Sequence, residues 1–307
     1  MKPTEKYLAG LIDADGTIGV RFFRRAEGDF RPAMFLQVTQ MEEKDRVLHF
    51  LHAEFGGRIQ KSPPSRFGTS MSILDFSHSE AMKLAARIEK YLVIKRARTG
   101  LFLKYVNETK RVPADRLEVH RQQLKAMRKV KLYMPNFPTR AWMAGYIDGD
   151  GCIASNISAA GKGYMSLRVT SHEDDKVGIL LLQKAFGGEI YYNKGPHLPM
   201  WVLHMPPSKA KEVLGYFAKH SIIKRAEVYF VLGCAEGGNY RDGDAIHSTL
   251  RQLKAQEQRL NDPDIDVSPM LKQIRFSIKD GRGMSPGSRG NRRKASKVSV
   301  SDSPTIL

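Results

Sequence analysis

The chain has 307 residues, 41% of them hydrophobic, enough for two modest domains or one large one with real cores, which excludes a wholly disordered protein. Fifty Lys and Arg against 32 Asp and Glu give a net charge of +18, so the partner that composition favours is a polyanion, either nucleic acid or an acidic membrane surface. Cys152 and Cys234 are too few for a disulfide scaffold and lack zinc-ligand spacing, which fits an intracellular, reducing compartment not specified further. No stretch approaches the ~20 apolar residues of a membrane span, and Asp13 and Asp15 cut short the apolar run near the start, so a soluble chain with no membrane partner is expected.

Taken in chain order, a helix is expected from about Thr4 to Asp15, with Thr4 as N-cap and Gly16 as terminator. Two strands follow, Thr17–Arg25 and Pro32–Thr39, with β-rich alternation and a polar turn between them. Thr39-Gln-Met-Glu42 has the form of a capping box and is read as opening a helix through Phe55, which Gly56-Gly57 ends. Strands Gly57–Lys61 and Ser70–Phe76, a helix over Ser79–Tyr91 and a last helix from about Ile94 complete the unit. Residues 106–138 are polar and basic, and their HRQQLKAMRKVK stretch is similar to STLRQLKAQEQRL at 248–260, so the segment reads as a repeated helix as well as a linker.

Comparison of the chain with itself shows that this whole order occurs twice. LAGLIDADG (8–16) recurs as MAGYIDGDG (143–151), LQVTQME (36–42) as LRVTSHE (167–173), FGGRI (55–59) as FGGEI (186–190), and IKRA (94–97) as IKRA (223–226). The offset drifts only from 135 to 129, as loop-length changes would produce. Two copies at this period mean a duplicated domain, since solenoid repeats are shorter and more numerous. The reading is an α+β chain of two pseudo-symmetric halves: 1–105, a linker at 106–138, 139–260, and an extension at 261–307. From Gly281 the extension is Gly/Ser/Pro-rich with six Lys or Arg against one Asp and is expected to be disordered.

In both copies the first helix carries small residues four apart, Gly10 and Ala14, then Gly145 and Gly149, which lets two helix backbones approach closely. Each ends in two carboxylates, Asp13 and Asp15 or Asp148 and Asp150, beside the negative end of its macrodipole. Parallel packing of these helices would bring carboxylates of both halves together, a repulsion that a cation relieves. An all-oxygen set of this kind suits Mg²⁺, with Mn²⁺ as a substitute. Spacing alone does not say which aspartate of each pair is structural.

The two motifs, at this spacing and with the matching segments downstream, resemble the LAGLIDADG homing endonucleases over about residues 4–260, in the branch with two motifs on one chain. The resemblance implies two αββαββα halves packed through the motif helices, each presenting a four-stranded antiparallel sheet to duplex DNA. It implies a monomer that makes metal-dependent double-strand breaks at a long non-palindromic site, with short 3′ overhangs. Carried over, the metal-binding catalytic acids are Asp15 and Asp150, and basic residues beside each site are Lys95 and Lys224. A polar residue that orders water is Gln40 in the first half and Ser171 in the second, a departure from symmetry that implies unequal strand cutting. Lys44 fills a further basic position whose counterpart is Asp175.

Sheet positions expected to touch DNA are Arg21, Arg24, Gln37, Arg58 and Gln60 in the first half and Asn156, Ser158, Arg168, Glu189 and Asn193 in the second, since Arg reads guanine and Asn or Gln adenine. Two end-to-end sheets of nine-residue strands span ~60 Å, or roughly 18 base pairs. The competing reading is a maturase of the same fold that binds intron RNA, with or without cleavage, although RNA binding alone requires no converging carboxylates.

Overall fold

The computed structural model describes residues 2–42, 45–63, 70–130, 138–157, 163–172, 176–194, 200–236 and 243–255. The first half runs α1 (Glu5–Asp15), β1 (Gly16–Arg24), β2 (Phe30–Met41), α2 (Arg46–Phe55), β3 (Arg58–Ser62), β4 (Met71–Phe76), α3 (His78–Ile88) and α4 (Arg96–Glu108). After α5 (Leu117–Arg128) the order repeats as α6 (Arg140–Asp150), β5 (Gly151–Ile157), β6 (Gly163–His172), α7 (Val177–Phe186), β7 (Glu189–Asn193), β8 (Met200–Met205), α8 (Pro207–Phe217), α9 (Arg225–Glu236) and α10 (Gly243–Ala255). The two sheets are antiparallel with the same order, β1-β2-β4-β3 and β5-β6-β8-β7, and the same register: Gly16 pairs with Val38 as Gly151 pairs with Val169. This is the expected α+β duplication.

Residue alternation explains why each sheet has one covered and one open face. In the first half Ile18, Val20, Met34, Leu36, Val38, Leu74 and Phe76, all even-numbered, are buried with Leu48, Leu51, Leu84 and Ile88 of α2 and α3. The odd-numbered partners, from Thr17 and Arg21 to Gln37 and Asp75, share the other face. Positive φ at Gly56 and Gly57, 80° and 88°, lets two residues reverse the chain from α2 into β3, and Gly187 and Gly188 do the same in the second half.

Three local expectations change. Thr39–Glu42 opens no helix: Thr39 and Gln40 belong to the β2 ladder opposite Ile73 and Ser72, and Thr170 lies in β6 opposite Val202, so cross-strand pairing overrides the local capping signal. The capping box that forms is Ser77–Glu80, at the start of α3. Gly16 ends α1 without a left-handed turn, at φ −86° and ψ 156°, because the chain passes straight into β1; a Cβ there would lie 2.5 Å from the Cα of Ile12.

The helix expected in the linker is α5, held to α4 by a 2.7 Å hydrogen bond between the Tyr105 hydroxyl and His120 Nδ1, with Leu124 buried. α10 is its counterpart, and its buried Leu253 matches Leu124. The basic tail from Gly281 lies outside the described residues.

Candidate active site between the repeated helices

α1 and α6 are each started by a threonine, Thr4 and Thr139, whose hydroxyl accepts the backbone N–H of Tyr7 at 3.2 Å and of Trp142 at 3.3 Å. The two helices are parallel neighbours with almost no space between backbones. A Cβ on Gly10 would lie 1.9 Å from the Trp142 carbonyl oxygen, and one on Gly145 would lie 2.1 Å from that of Tyr7. One on Gly149 would lie 2.4 Å from the Ala14 Cβ and 3.0 Å from Asp15 Oδ2. Small residues four apart are therefore a steric requirement of this interface.

The geometry separates the two aspartates of each motif, which spacing alone left open. Asp13 is 4% exposed and accepts from the backbone N–H groups of Val93, Ile94 and Lys95 and from the Trp142 indole N–H at 2.8 Å. Asp148 is 2% exposed and accepts from the backbone N–H groups of Ile222, Ile223 and Lys224, from the Ser221 hydroxyl and from the Tyr7 hydroxyl at 2.8 Å. Asp13 ties the turn before α4 to α1, and Asp148 ties the turn before α9 to α6. Each also accepts from an aromatic residue of the opposite half, so two reciprocal buried bonds cross the interface. Burial holds the Asp13 carboxyl above the ordinary carboxylate range, opposed by Lys95 and its backbone and indole donors.

Asp15 and Asp150, by contrast, are half-buried at the joined C-terminal ends. Asp15 Oδ2 accepts from Gln40 Nε2 at 2.7 Å. Burial raises its carboxyl, against the Gln40 bond and the charges of Lys224 and Lys95. Lys95 feels both acids, so the two carboxylates and two lysines form one electrostatic cluster drawn from both halves.

Lys95 and Lys224 are buried, at 8% and 9% exposure, which rules out an ordinary solvated helix face. The Lys95 ammonium donates to the carbonyl of Ile12, to that of Ala14 at 3.3 Å and to that of Gly16 at 2.8 Å, while Lys224 donates to the Asp148 carbonyl. Each cation thus neutralises the carbonyl end of a motif helix whose own last turn is acidic. Burial pushes the Lys95 ammonium down to about 8, against the attraction of Asp13.

No group of three or more His, Cys, Asp or Glu side chains able to cage a metal occurs among the described residues. The donor set still fits Mg²⁺, which takes one or two carboxylates and completes its shell with water and phosphate oxygens. Two half-buried carboxylates, one of them raised by burial, at the negative ends of two helices gain most from an added cation.

Gln40 and Ser171 occupy equivalent places, both buried, opposite Ser72 and Trp201 respectively. The surroundings differ. In the first half the Ser72 hydroxyl donates to Asp45 at 2.7 Å; in the second Lys176 stands 3.6 Å over the Trp201 ring.

Of the expected DNA-contacting positions, Arg21, Gln37, Arg58 and Gln60 share the open face of the first sheet, and Arg168, Glu189 and Asn193 that of the second. Asn156 has the same register in β5, and Ser158 and Lys44 lie outside the described residues, as does Asp175. Arg24 does not join them: it has the parity of Val20 and Phe22 and belongs to the opposite face at the end of the β1–β2 ladder. Missed on the open faces were Arg31, Asp75 and His204, which strict alternation through the paired register would have found. Tyr7 and Trp142 were also missed, although each immediately precedes its motif.

A family model described as LAGLIDADG endonuclease matches residues 143–234. No curated protein sequence matches the chain. Among solved structures it is similar to the LAGLIDADG meganuclease I-AabMI bound to uncleaved DNA, at 16% identity and TM-score 0.58, over 82% of this chain and 98% of that one. The LAGLIDADG homing endonuclease I-GzeII in complex with its DNA target gives 17% and 0.59, over 82% and 97%. I-SmaMI bound to uncleaved DNA in the presence of calcium ions gives 18% and 0.58, over 82% and 98%. The second half thus matches the LAGLIDADG endonuclease model in sequence, and the chain as a whole shares the fold of these solved structures, with the same element order repeated around both motifs.

Proposed function

We propose that the chain is a homing endonuclease that, as a monomer, makes a double-strand break in a long, non-palindromic DNA site and leaves short 3′ overhangs. The observation that carries this reading is the convergence of Asp15 and Asp150, with Lys95 and Lys224 behind them, where the two halves meet. One chain supplies both acids, so no second copy is needed.

Asp15 and Asp150 would hold the divalent ion, Mg²⁺ or Mn²⁺, and the calcium ions present with I-SmaMI on its uncleaved DNA support a divalent cofactor. Such an ion lowers the pKa of water and stabilises charge on both the attacking and leaving oxygens of an in-line phosphodiester hydrolysis. The protein's share is placement. Gln40 orients the Asp15 carboxylate and would order water beside it, a role for which Ser171 has the shorter reach in the second half. Lys95 and Lys224 keep positive charge under both acids, where it counts most as the phosphate gains charge in the transition state. The open-face Arg and amide side chains contact the duplex. An RNA-splicing role on the same fold would leave the paired acids without a purpose, so the nuclease reading stands first.

The test is cleavage of a library of long duplexes with Mg²⁺. Asp15→Asn and Asp150→Asn should lose most cleavage while keeping specific binding, and wild-type rates in both variants would overturn the shared site.

A further inference from the structure

α5 joins the halves, yet its exposed face is organised toward the first sheet. β1 is the edge strand of that sheet, and between it and α5 runs a groove of about 460 Å³. Buried Val20 and Leu124 are among its lining, and four cations surround it: Arg21 from β1, and Arg121, Lys125 and Arg128 from α5. Among the described residues no carboxylate lines it. Glu118 stands 3.6 Å from Arg121 Nη1 and also accepts from Gln122, so it offsets only one of the four charges.

The groove is continuous with the open face of the sheet. Arg21 belongs to both, its guanidinium laid 4.0 Å from the centre of the Phe35 ring. A Cβ on Gly19, which shares that face, would lie 3.6 Å from the tip of Arg128. Residues 121, 125 and 128 fall on one side of the helix and cover about 10 Å along its axis, the length of about three phosphates on one strand.

The second half keeps this arrangement only in part: Lys254 stands in sequence where Lys125 does, and Arg251 where Gln122 does. Aligning QLKA at 123–126 with QLKA at 252–255 puts Leu250 at the place of Arg121, and Leu250 is buried, at 2% exposure. Glu257 stands in sequence where Arg128 does.

We propose that the groove between α5 and β1 is a phosphate-backbone clamp that grips duplex DNA flanking the first half's sheet, with a cation set that the other half matches only in part. It rests on the DNA reading above and adds a sequence-independent contact that gives the bound site a polarity. Four cations with one acid nearby hold a polyanion, and among the described lining side chains Gln122 alone offers the paired donor and acceptor that an adenine edge requires.

The test measures Kd across a salt series for the full chain, for the triple variant Arg121→Gln/Lys125→Gln/Arg128→Gln, and for Lys83→Gln on the exposed side of α3 as a control. Each lost phosphate contact lowers the log K versus log[salt] slope by about 0.9, so the triple variant should lose about 2.7. Between 50 and 200 mM salt, binding by the unaltered chain should weaken about 40-fold more than binding by the variant. The loss should be equal on specific and unrelated duplexes, cut positions should be unchanged, and phosphate-ethylation interference should disappear on one flank only. A slope equal to that of Lys83→Gln overturns the clamp while leaving the DNA reading intact, and a loss confined to the specific sequence overturns it in favour of base reading. Failure of the unaltered chain to bind any duplex overturns the DNA reading and the clamp with it.

Discussion

Replacing Gly145 by Ala tests the helix pair on which the site is built. In an exposed helix interior the change would stabilise by about 1 kcal/mol, since Ala is the better helix former. Here the added Cβ would fall 2.1 Å from the Tyr7 carbonyl oxygen and 2.7 Å from the Leu11 nitrogen. Both are backbone atoms that no rotamer change can move, so α1 and α6 must separate by roughly 1 Å to reach ordinary contact. Overpacking of this kind costs about 3 kcal/mol, the upper end of the usual range, and outweighs the propensity gain by about 2 kcal/mol. For a chain of this size that is a fall in Tm of about 3–4 °C. The same shift parts Asp15 from Asp150, and a displacement near 1 Å is worth about 100-fold in rate. Thermal unfolding and single-turnover cleavage check both numbers, and Gly10→Ala, whose Cβ would fall 1.9 Å from the Trp142 oxygen, should repeat them. A raised Tm with wild-type cleavage in either variant would refute the close parallel packing.

Tyr7→Phe removes one of five donors to Asp148 and should cost about 1.5 kcal/mol, the low end for a bond to a charged group because four donors remain. Because Asp148 fixes the turn that carries Lys224 and Asp13 the turn that carries Lys95, Tyr7→Phe and Trp142→Phe should give opposite strand preferences in nicking assays; equal slowing of both strands would show that the crossed bonds only stabilise. Burial lowers Lys95 to about 8 from its unfolded value of 10.5, so between these values the unfolded chain holds the extra proton and stability gains from Lys95 as pH rises, by at most about 1.4 kcal/mol per unit. Denaturant unfolding of metal-free protein and of Lys95→Met at pH 7 to 10 should show that gain only in the unaltered chain, and parallel curves would place the ammonium in water.

Duplication, the element order and the identity of the motif helices are all legible in the chain itself, because each rests on a pattern repeated at a fixed offset: small residues four apart, paired acids, and IKRA downstream. The open-face residues of the strands are also largely legible, because side chains alternate strictly; Arg24 lies on the other face because it shares the parity of Val20 and Phe22. The capping box at Thr39 misled because a local hydrogen-bond signal yields to a strand paired on both sides. Which aspartate of each motif is structural was decided only by the tertiary fold. The two aspartates of each motif stand only two residues apart, and what separates them is a turn some 80 residues away and an aromatic side chain from the opposite half. A carboxylate's role depends on the donors and charges that reach it in space, and those are set when the two halves pack, not along the chain.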